Sequence, residues 1–367
     1  MTGGLQRALG LACLVLVACG RVRVERDGGA RCGHVQSTRQ VRGVTLCEDA
    51  WSCARPPAGP LDRVNLTRLA PCGDLTNPLI LYLPDRRHGE GRATDAREDL
   101  QLYLAQAGLR TWVLGYRAHT RALGAGRGAH PPAMPWDFDT FADDVEWAMR
   151  FIRGTEASRG IWVAGMGDGA TFAYELAHRD DPLLAGIVAL DGAAIATSAP
   201  GSGALVEEGF PGITWETRAA LLDLVLTAPR GPSPVPGYAS AGEALAELTF
   251  RDATYGGNGG LSGARDGGAD VRSVARYLAS ASRWWPRAVL RTRAPGATRR
   301  SVPVLAFAAG RRGTAWTDLV AASARTAGGE QATVRVLPAF GHVDLLVGRT
   351  APHHVHEPVR VFITTHQ

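Results

Sequence analysis

Lysine is absent from this chain of 367 residues, and all 40 of its basic residues are arginine. Arginine, alanine and glycine are all abundant, so we interpret the bias as genome composition and not as a binding signal. The net charge of +5 is spread along the sequence, with no long block of like charges. A nucleic-acid-binding surface is therefore not indicated, and we predict no nucleic-acid partner.

Long apolar runs are also missing. The N-terminal run ALGLACLVLVA, which follows Arg7, is too short for a stable membrane-spanning helix and has the length of the apolar part of a signal peptide. It ends in LVACG, which resembles the lipobox of bacterial lipoproteins. The resemblance implies that residues 1–19 are a signal peptide and that Cys19 is lipidated. The protein would then be exported and anchored to the bacterial cell envelope, on the periplasmic or outer-membrane surface. The alternative is an ordinary secretory signal with an incidental cysteine.

Cysteines are few outside the signal peptide, and the four that remain carry no C-x2-C pair of the kind that many zinc sites use. In an oxidising, exported setting two disulfides are the expected state, with a zinc site as the alternative. The sequence leaves all three pairings open. We predict no bound metal and no cofactor. The four residues are Cys32, Cys47, Cys53 and Cys72.

The rest of the chain divides by its pattern of strands and helices. Residues 20–77 form a cysteine-containing extension with short β-like runs, which suits an antiparallel edge of a sheet. Strand and helix signals alternate over 78–194, with a first helix expected to be capped at Thr94, and the alternation resumes over 298–367 with a final helix. Residues 195–297, rich in proline and glycine, are predicted to be an inserted cap. The pattern predicts an α/β fold with a mostly parallel central sheet and helices on both faces.

One stretch in the middle of the chain, VAGMGDGATFAYELA, follows a strand and opens a helix. It matches the nucleophile elbow, G-x-Nuc-x-G, with Gly165 and Gly169 as the flanking glycines. The strands after it, and the loop LPAFGHVDLLVG near the end, follow in the matching order. Over roughly residues 75–365 the chain resembles the α/β-hydrolase superfamily, in particular exported bacterial lipases and esterases. The resemblance implies that fold, and a small ester-like molecule as substrate or ligand.

Carried over residue by residue, the resemblance makes His342 the base that takes the nucleophile's proton. Its acid partner is ambiguous, because LAFAAG, where relatives usually place an aspartate, is followed here by arginines. Asp191, at the end of the preceding strand, is the candidate. Gly167 stands where relatives have the attacking serine, and glycine has no group that can attack. Asp85 and Asp168 fall on the oxyanion-hole positions, where their charges would oppose a developing oxyanion.

These substitutions predict a catalytically impaired hydrolase, and two alternatives stay open. One is an active hydrolase that uses Asp168 as nucleophile, or a metal held by Asp85, Asp168 and His342. The other is a dinucleotide site, because Gly165-x-Gly167-x-x-Ala170 also fits that fingerprint, with Asp191 about twenty residues on. Within the insertion, the adjacent residues Trp284 and Trp285 either line a pocket or pack against the body of the protein.

Overall fold

The computed structural model describes residues 23–27, 30–73, 78–86, 99–119, 134–194, 205–207, 209–251, 268–286, 289 and 300–366. The expected signal peptide, its Cys19 and the expected helix cap Thr94 lie outside these residues. No helix in the described part of the chain is long and apolar enough to cross a membrane.

A large mixed sheet contains all but two of the described strands. The described strands are β1 (Arg23–Asp27), β2 (Ala30–Val41), β3 (Val44–Ala54), β4 (Arg63–Pro71), β5 (Leu79–Leu83), β6 (Arg110–Gly115), β7 (Ile161–Met166), β8 (Leu184–Leu190), β9 (Leu205–Glu207), β10 (Trp284–Pro286), β11 (Val304–Ala309) and β12 (Ala332–Leu337). The large sheet has the order β1-β2-β3-β4-β6-β5-β7-β8-β11-β12. Strands β9 and β10 pair separately.

The N-terminal extension forms the antiparallel half of the sheet. Strands β1 to β4 run antiparallel to their neighbours, and β4 joins the rest of the sheet through antiparallel pairing with β6. Disulfides join Cys32 to Cys53 and Cys47 to Cys72, which resolves the pairing that the sequence left open. The predicted antiparallel edge and the two disulfides are confirmed.

The remaining strands of the large sheet are parallel to one another; in sheet order they are β6, β5, β7, β8, β11 and β12. Strands β5, β6, β7 and β11 are buried along their whole length, as expected when helices cover both faces of a parallel sheet. Along β5, Leu79, Leu81 and Leu83 face one hydrophobic cluster while Ile80 and Tyr82 face the other. The predicted fold class, a mostly parallel sheet between two helical layers, is confirmed.

Helices flank the sheet on both faces, and three of them come from the predicted insertion. The described α-helices are α1 (Leu100–Gln106), α2 (Phe138–Thr155), α3 (Asp168–His178), α4 (Trp215–Thr227), α5 (Ala241–Arg251), α6 (Val271–Ala279), α7 (Thr314–Gly328), α8 (Asp344–Val347) and α9 (Glu357–Thr365). Helices α4, α5 and α6, together with the β9–β10 pair, belong to the segment 195–297. The predicted final helix is α9.

Helix α1 begins later than the sequence pattern indicates. Its N-cap is Asp99, whose side chain accepts hydrogen bonds from the backbone N–H groups of Gln101 and Leu102. Thr94 is therefore not the residue that caps α1. Aspartate is at least as good an N-cap as threonine, and Asp99 is buried.

Candidate active site

The elbow lies between β7 and α3, near the middle of the parallel strands. Gly167 sits at its tip with φ 52° and ψ −116°, a left-handed conformation that glycine adopts without strain. The flanking glycines are required by close approach. A Cβ on Gly165 would collide with the backbone of Gly169 and Ala170, and a Cβ on Gly169 would collide with the Leu83 carbonyl group. The sharp turn thus has the geometry that the G-x-Nuc-x-G spacing predicts.

His342 and Asp191 lie together at the carboxyl ends of the parallel strands. Nδ1 of His342 is 2.6 Å from Oδ2 of Asp191, and both side chains are buried. Asp191 follows β8, and His342 lies in the loop between β12 and α8. The structure therefore brings together the two residues that the sequence proposed as a histidine–acid pair.

Three further donors hold the Asp191 carboxylate. It accepts hydrogen bonds from the backbone N–H of Ala309 (2.9 Å), from Nε1 of Trp316 (2.8 Å) and from Nη1 of Arg312 (3.0 Å). Burial alone would raise the pKa of Asp191, but the hydrogen bond with His342 and the charge of Arg312 bring it below its usual value. The carboxylate is thus ionised and fixed in place.

Arg312 and Trp316 were missed by the sequence reasoning. The signal was present, because Arg312 follows the strand where relatives usually carry the acid. In this chain that position supplies a cation to the acid instead, and Arg312 also stacks over the Trp316 ring at 3.4 Å. The arginine that made the acid ambiguous is part of the acid's support.

Asp85 occupies the space above the glycine at the tip. Its Oδ2 accepts a hydrogen bond from the backbone N–H of Asp168 at 3.2 Å and lies 3.7 Å from Nε2 of His342. A Cβ placed on Gly167 would collide with that oxygen and would lie 3.1 Å from Cε1 of His342. The Asp85 carboxylate therefore fills the place of a nucleophile side chain and takes up an N–H that would otherwise face an oxyanion. The sequence placed Asp85 near the oxyanion hole but did not indicate this reach.

His342 is consequently held between two carboxylates. Burial lowers the pKa of His342, but the hydrogen bond with Asp191 and the charges of Asp191 and Asp85 outweigh it, so the pKa is raised above its usual value. The imidazolium, which has no free lone pair, therefore persists to a higher pH than in an ordinary histidine. A histidine acts as a general base only in its neutral form, so this arrangement works against proton abstraction.

Asp168, the first residue of α3, directs its carboxylate elsewhere. Oδ2 of Asp168 is 2.7 Å from Nη1 of Arg86, and about a third of the Asp168 side chain is exposed, at 32%. An acidic residue in the first turn of a helix also interacts favourably with the helix dipole. The structure thus gives Asp168 an ion pair and a helix N-terminus as partners.

The metal-assisted route and the dinucleotide site find little support in this geometry. Among the described residues no group of three His, Cys, Asp or Glu side chains is arranged to hold a metal ion. A pyrophosphate at the elbow would meet the buried carboxylate of Asp85. Asp191, which a ribose would need, is engaged by His342 and its other donors.

Of the two adjacent tryptophans, Trp285 packs against the body of the protein. Its ring lies 5.7 Å from Tyr116 and 5.3 Å from Phe141, measured between centroids, and it is fully buried. Trp284 is also buried, and Arg283 lies over its ring. These contacts hold the insertion against the body of the protein.

No known family profile matches the chain, and no curated protein matches its sequence. Its structure is similar to that of a candidate lipase from Sulfolobus solfataricus, with a TM-score of 0.69 and 18% identity over 90% of this chain and 99% of the other. A candidate aryl esterase from Burkholderia cenocepacia gives 0.52 and 17%, over 86% and 98%. An alpha/beta hydrolase fold protein from Nakamurella multipartita gives 0.50 and 16%, over 83% and 96%. These similarities confirm the fold that the elbow predicted.

Proposed function

We propose that this chain, which has the α/β-hydrolase fold, is an exported, lipid-anchored pseudo-hydrolase that binds a small ester-like molecule without hydrolysing it by serine chemistry. The observation that carries the proposal is the position of the Asp85 carboxylate. It lies where the side chain of a nucleophile at residue 167 would be, and it accepts the Asp168 N–H.

Acyl transfer needs a nucleophile, a base and an oxyanion hole, and each is compromised here. Gly167 has no side chain to attack with. His342, between Asp191 and Asp85, has a raised pKa, so it keeps its proton to a higher pH than an ordinary histidine. The Asp168 N–H already donates to a carboxylate, and a negative charge at this point repels an oxyanion, whereas the hole normally presents positive dipoles. Losing one oxyanion donor alone costs about 100-fold to 1,000-fold in turnover.

A turnover screen tests this proposal. We expect the purified protein to show no hydrolysis of short and medium p-nitrophenyl esters above a buffer control, and no covalent labelling by a fluorophosphonate. Asp85→Ala serves as the matched variant, because it opens the site but still provides no serine. Ester turnover by the wild type that survives Asp85→Ala and is abolished by a fluorophosphonate would overturn the proposal.

Export and anchoring rest on different residues. The two disulfides fit an oxidising environment, and the lipobox-like LVACG supports lipidation of Cys19. In a bacterial host we expect the mature protein to begin at Cys19, to carry a lipid mass and to partition with membranes. Cys19→Ser should leave the protein unlipidated. Cys13→Ser, within the apolar run before Cys19, should still be lipidated. Unlipidated wild-type protein would contradict anchoring.

A second candidate function follows from the same carboxylate. Because Oδ2 of Asp85 lies at the nucleophile's place beside an N–H donor, Asp85 could itself attack an electrophilic carbon. The Asp85 oxygen would form a bond to carbon as the leaving group departs with its electron pair. Above its raised pKa, neutral His342 would take a proton from a water molecule that adds to Cγ. The Asp85 ester bond would then break, and the departing alkoxide would take up the proton of the new carboxyl group and leave as the alcohol.

Isotope labelling separates this candidate from the pseudo-hydrolase. A single turnover of an alkyl halide or epoxide in H₂¹⁸O would leave ¹⁸O in the Asp85 carboxyl group, which mass spectrometry of the peptide detects. We expect no ¹⁸O there beyond that of an incubation without substrate. Incorporation that Asp85→Asn abolishes would establish Asp85 as a nucleophile and refute the inactive assignment.

A further inference from the structure

Three neighbouring aromatic side chains carry buried polar atoms without hydrogen-bond partners in the described structure. These atoms are the hydroxyl of Tyr116, both ring nitrogens of His119 and Nε1 of Trp285. The rings touch one another, with centroids 5.3 Å apart for Tyr116 and His119, and 5.7 Å apart for each of them and Trp285. Tyr116 and Trp285 are almost completely buried, at 1% and 0% exposure.

Such a cluster is costly unless something binds to it. Most buried side-chain polar atoms in folded proteins have a hydrogen-bond partner, and leaving one without a partner costs the full loss of its hydration. Here four atoms on three contacting residues share this condition. A ligand that offers matching donors and acceptors would recover that cost.

The cluster also lies beside the candidate active site. Tyr116 directly follows β6, and its neighbour β5 ends two residues before Asp85. Trp285 comes from β10 in the insertion, so the cluster lies between the sheet edge and the insertion. Ligands of open α/β sheets bind at the carboxyl ends of the strands, which is this edge.

The protonation states of the cluster define what it accepts. Burial lowers the pKa of His119 to about 4, against a smaller opposing effect of the Asp85 charge, so the imidazole is neutral. Burial, followed by the charges of Asp168 and Asp85, raises the pKa of Tyr116 well above its usual value, so the phenol is neutral as well. The cluster is uncharged and offers both donors and acceptors, while the two carboxylates nearby disfavour an anion.

We propose that Tyr116, His119 and Trp285 form a ligand subsite for a small neutral molecule with an aromatic ring and a hydroxyl group. The ring packs against the aromatic side chains, and the hydroxyl group both donates to and accepts from the buried polar atoms. This inference deepens the proposed function, on which it rests, by naming the chemical class of the bound molecule.

Calorimetric titration with matched probes tests the subsite. We expect phenol to bind at least about tenfold more tightly than toluene, which lacks the hydroxyl, since one or two hydrogen bonds account for that factor. Benzoate, an anion on the same ring, should bind more weakly than phenol. Glucose, which has hydroxyl groups without an aromatic ring, should not compete. Equal binding of phenol and toluene, or no binding of phenol, would overturn the proposal.

Two variants and two matched controls separate a subsite from plain packing. Tyr116→Phe and Trp285→Phe should each weaken phenol binding about tenfold. The melting temperature of Tyr116→Phe should equal or exceed that of the wild type, because the variant removes a buried hydroxyl that has no partner. Tyr174→Phe and Trp51→Phe remove the other buried, unpartnered atoms of the same kinds, outside this cluster, and should leave phenol binding unchanged. Equal losses in variants and controls would refute the subsite.

This outcome is distinguishable from failure of the proposed function. Ester turnover by the wild-type protein would refute the pseudo-hydrolase, while phenol binding and its loss in Tyr116→Phe would still report on the subsite. Conversely, a protein with no turnover and no preference for phenol would retain the proposed function and lose the subsite.

Discussion

Oδ2 of Asp85 and Nε2 of His342 lie 3.7 Å apart, directly over the glycine at the tip of the elbow. On its other side the His342 ring is hydrogen-bonded to Asp191, so the imidazole lies between two carboxylates. In a serine hydrolase the histidine faces a neutral hydroxyl group at this point. The replacement of that hydroxyl by the Asp85 carboxylate, which follows the neighbouring strand β5, changes the charge of the site.

Replacing Asp85 by asparagine should lower the pKa of His342. The imidazolium is stabilised against burial by the hydrogen bond with Asp191 and by the charges of Asp191 and Asp85, and the variant removes the Asp85 charge without changing the shape of the side chain. NMR titration of the ring nitrogens should show a pKa above 6.5 in the wild type and a lower value in Asp85→Asn. An unchanged pKa of His342 would mean that the Asp85 charge does not act on the imidazole.

The interaction of the His342 imidazolium with Asp85 and Asp191 should also make the free energy of unfolding depend on pH. His342 has a folded-state pKa above its unfolded value of 6.5, so its contribution is complete below pH 6.5 and is lost as pH rises through the folded-state pKa. Urea titrations should therefore show a falling free energy of unfolding over that range, and Asp85→Asn should flatten the fall. The control Glu357→Gln, at a partly exposed pair with Arg360, should keep the wild-type slope there.

At acid pH the free energy of unfolding should change with pH in the opposite direction, and this change reports on Asp191. Its pKa is lowered on folding, so its contribution is complete above the unfolded value of 3.8 and is lost as pH falls through the folded-state pKa. At neutral pH, Asp191→Asn should cost about 3 to 5 kcal/mol, because Arg312 and His342 lose a buried partner. Glu357→Gln should cost about 1 kcal/mol or less in the same urea titration. Similar costs for both variants would contradict a buried, charged Asp191.

Asp168→Asn should have little effect on either the fold or the site. The pair with Arg86 is partly exposed, so its loss should cost about 1 kcal/mol or less, and the titration of His342 should not move. Chemical denaturation and NMR measure the two effects. Should some hydrolytic activity be detected and then disappear in Asp168→Asn but persist in Asp85→Asn, the nucleophile would be Asp168.

Much of the fold could be predicted because its signals are local. The glycine spacing around the elbow reports close backbone contacts that no other residue allows, as the collisions at Gly165 and Gly169 make plain. The apolar runs of the parallel strands report burial on both faces. By contrast, the pairing of the four cysteines depends on how distant segments pack, and the sequence left it open.

The site was predictable in its members but not in its geometry. Asp191 and His342 are 151 positions apart, and only the order of strands in a known fold suggested that they meet. That Asp85 reaches across from β5 into the space over Gly167 depends on side-chain direction and on the absence of a Cβ there. The glycine is visible in the sequence, but the direction of the Asp85 side chain is not, so Asp85 was placed at the oxyanion hole and its occupation of the nucleophile's place was missed.

Covalent labelling of paired variants tests the central claim, that the Asp85 carboxylate stands in the place of the serine. Gly167→Ser alone should not be labelled by a fluorophosphonate, because the new side chain collides with Asp85 and its oxyanion N–H is taken. Gly167→Ser combined with Asp85→Gly should be labelled at residue 167, since His342 and Asp191 remain in place. Gly167→Ala with Asp85→Gly should stay unlabelled. Rapid labelling of the single Gly167→Ser variant, with no gain from Asp85→Gly, would contradict the account.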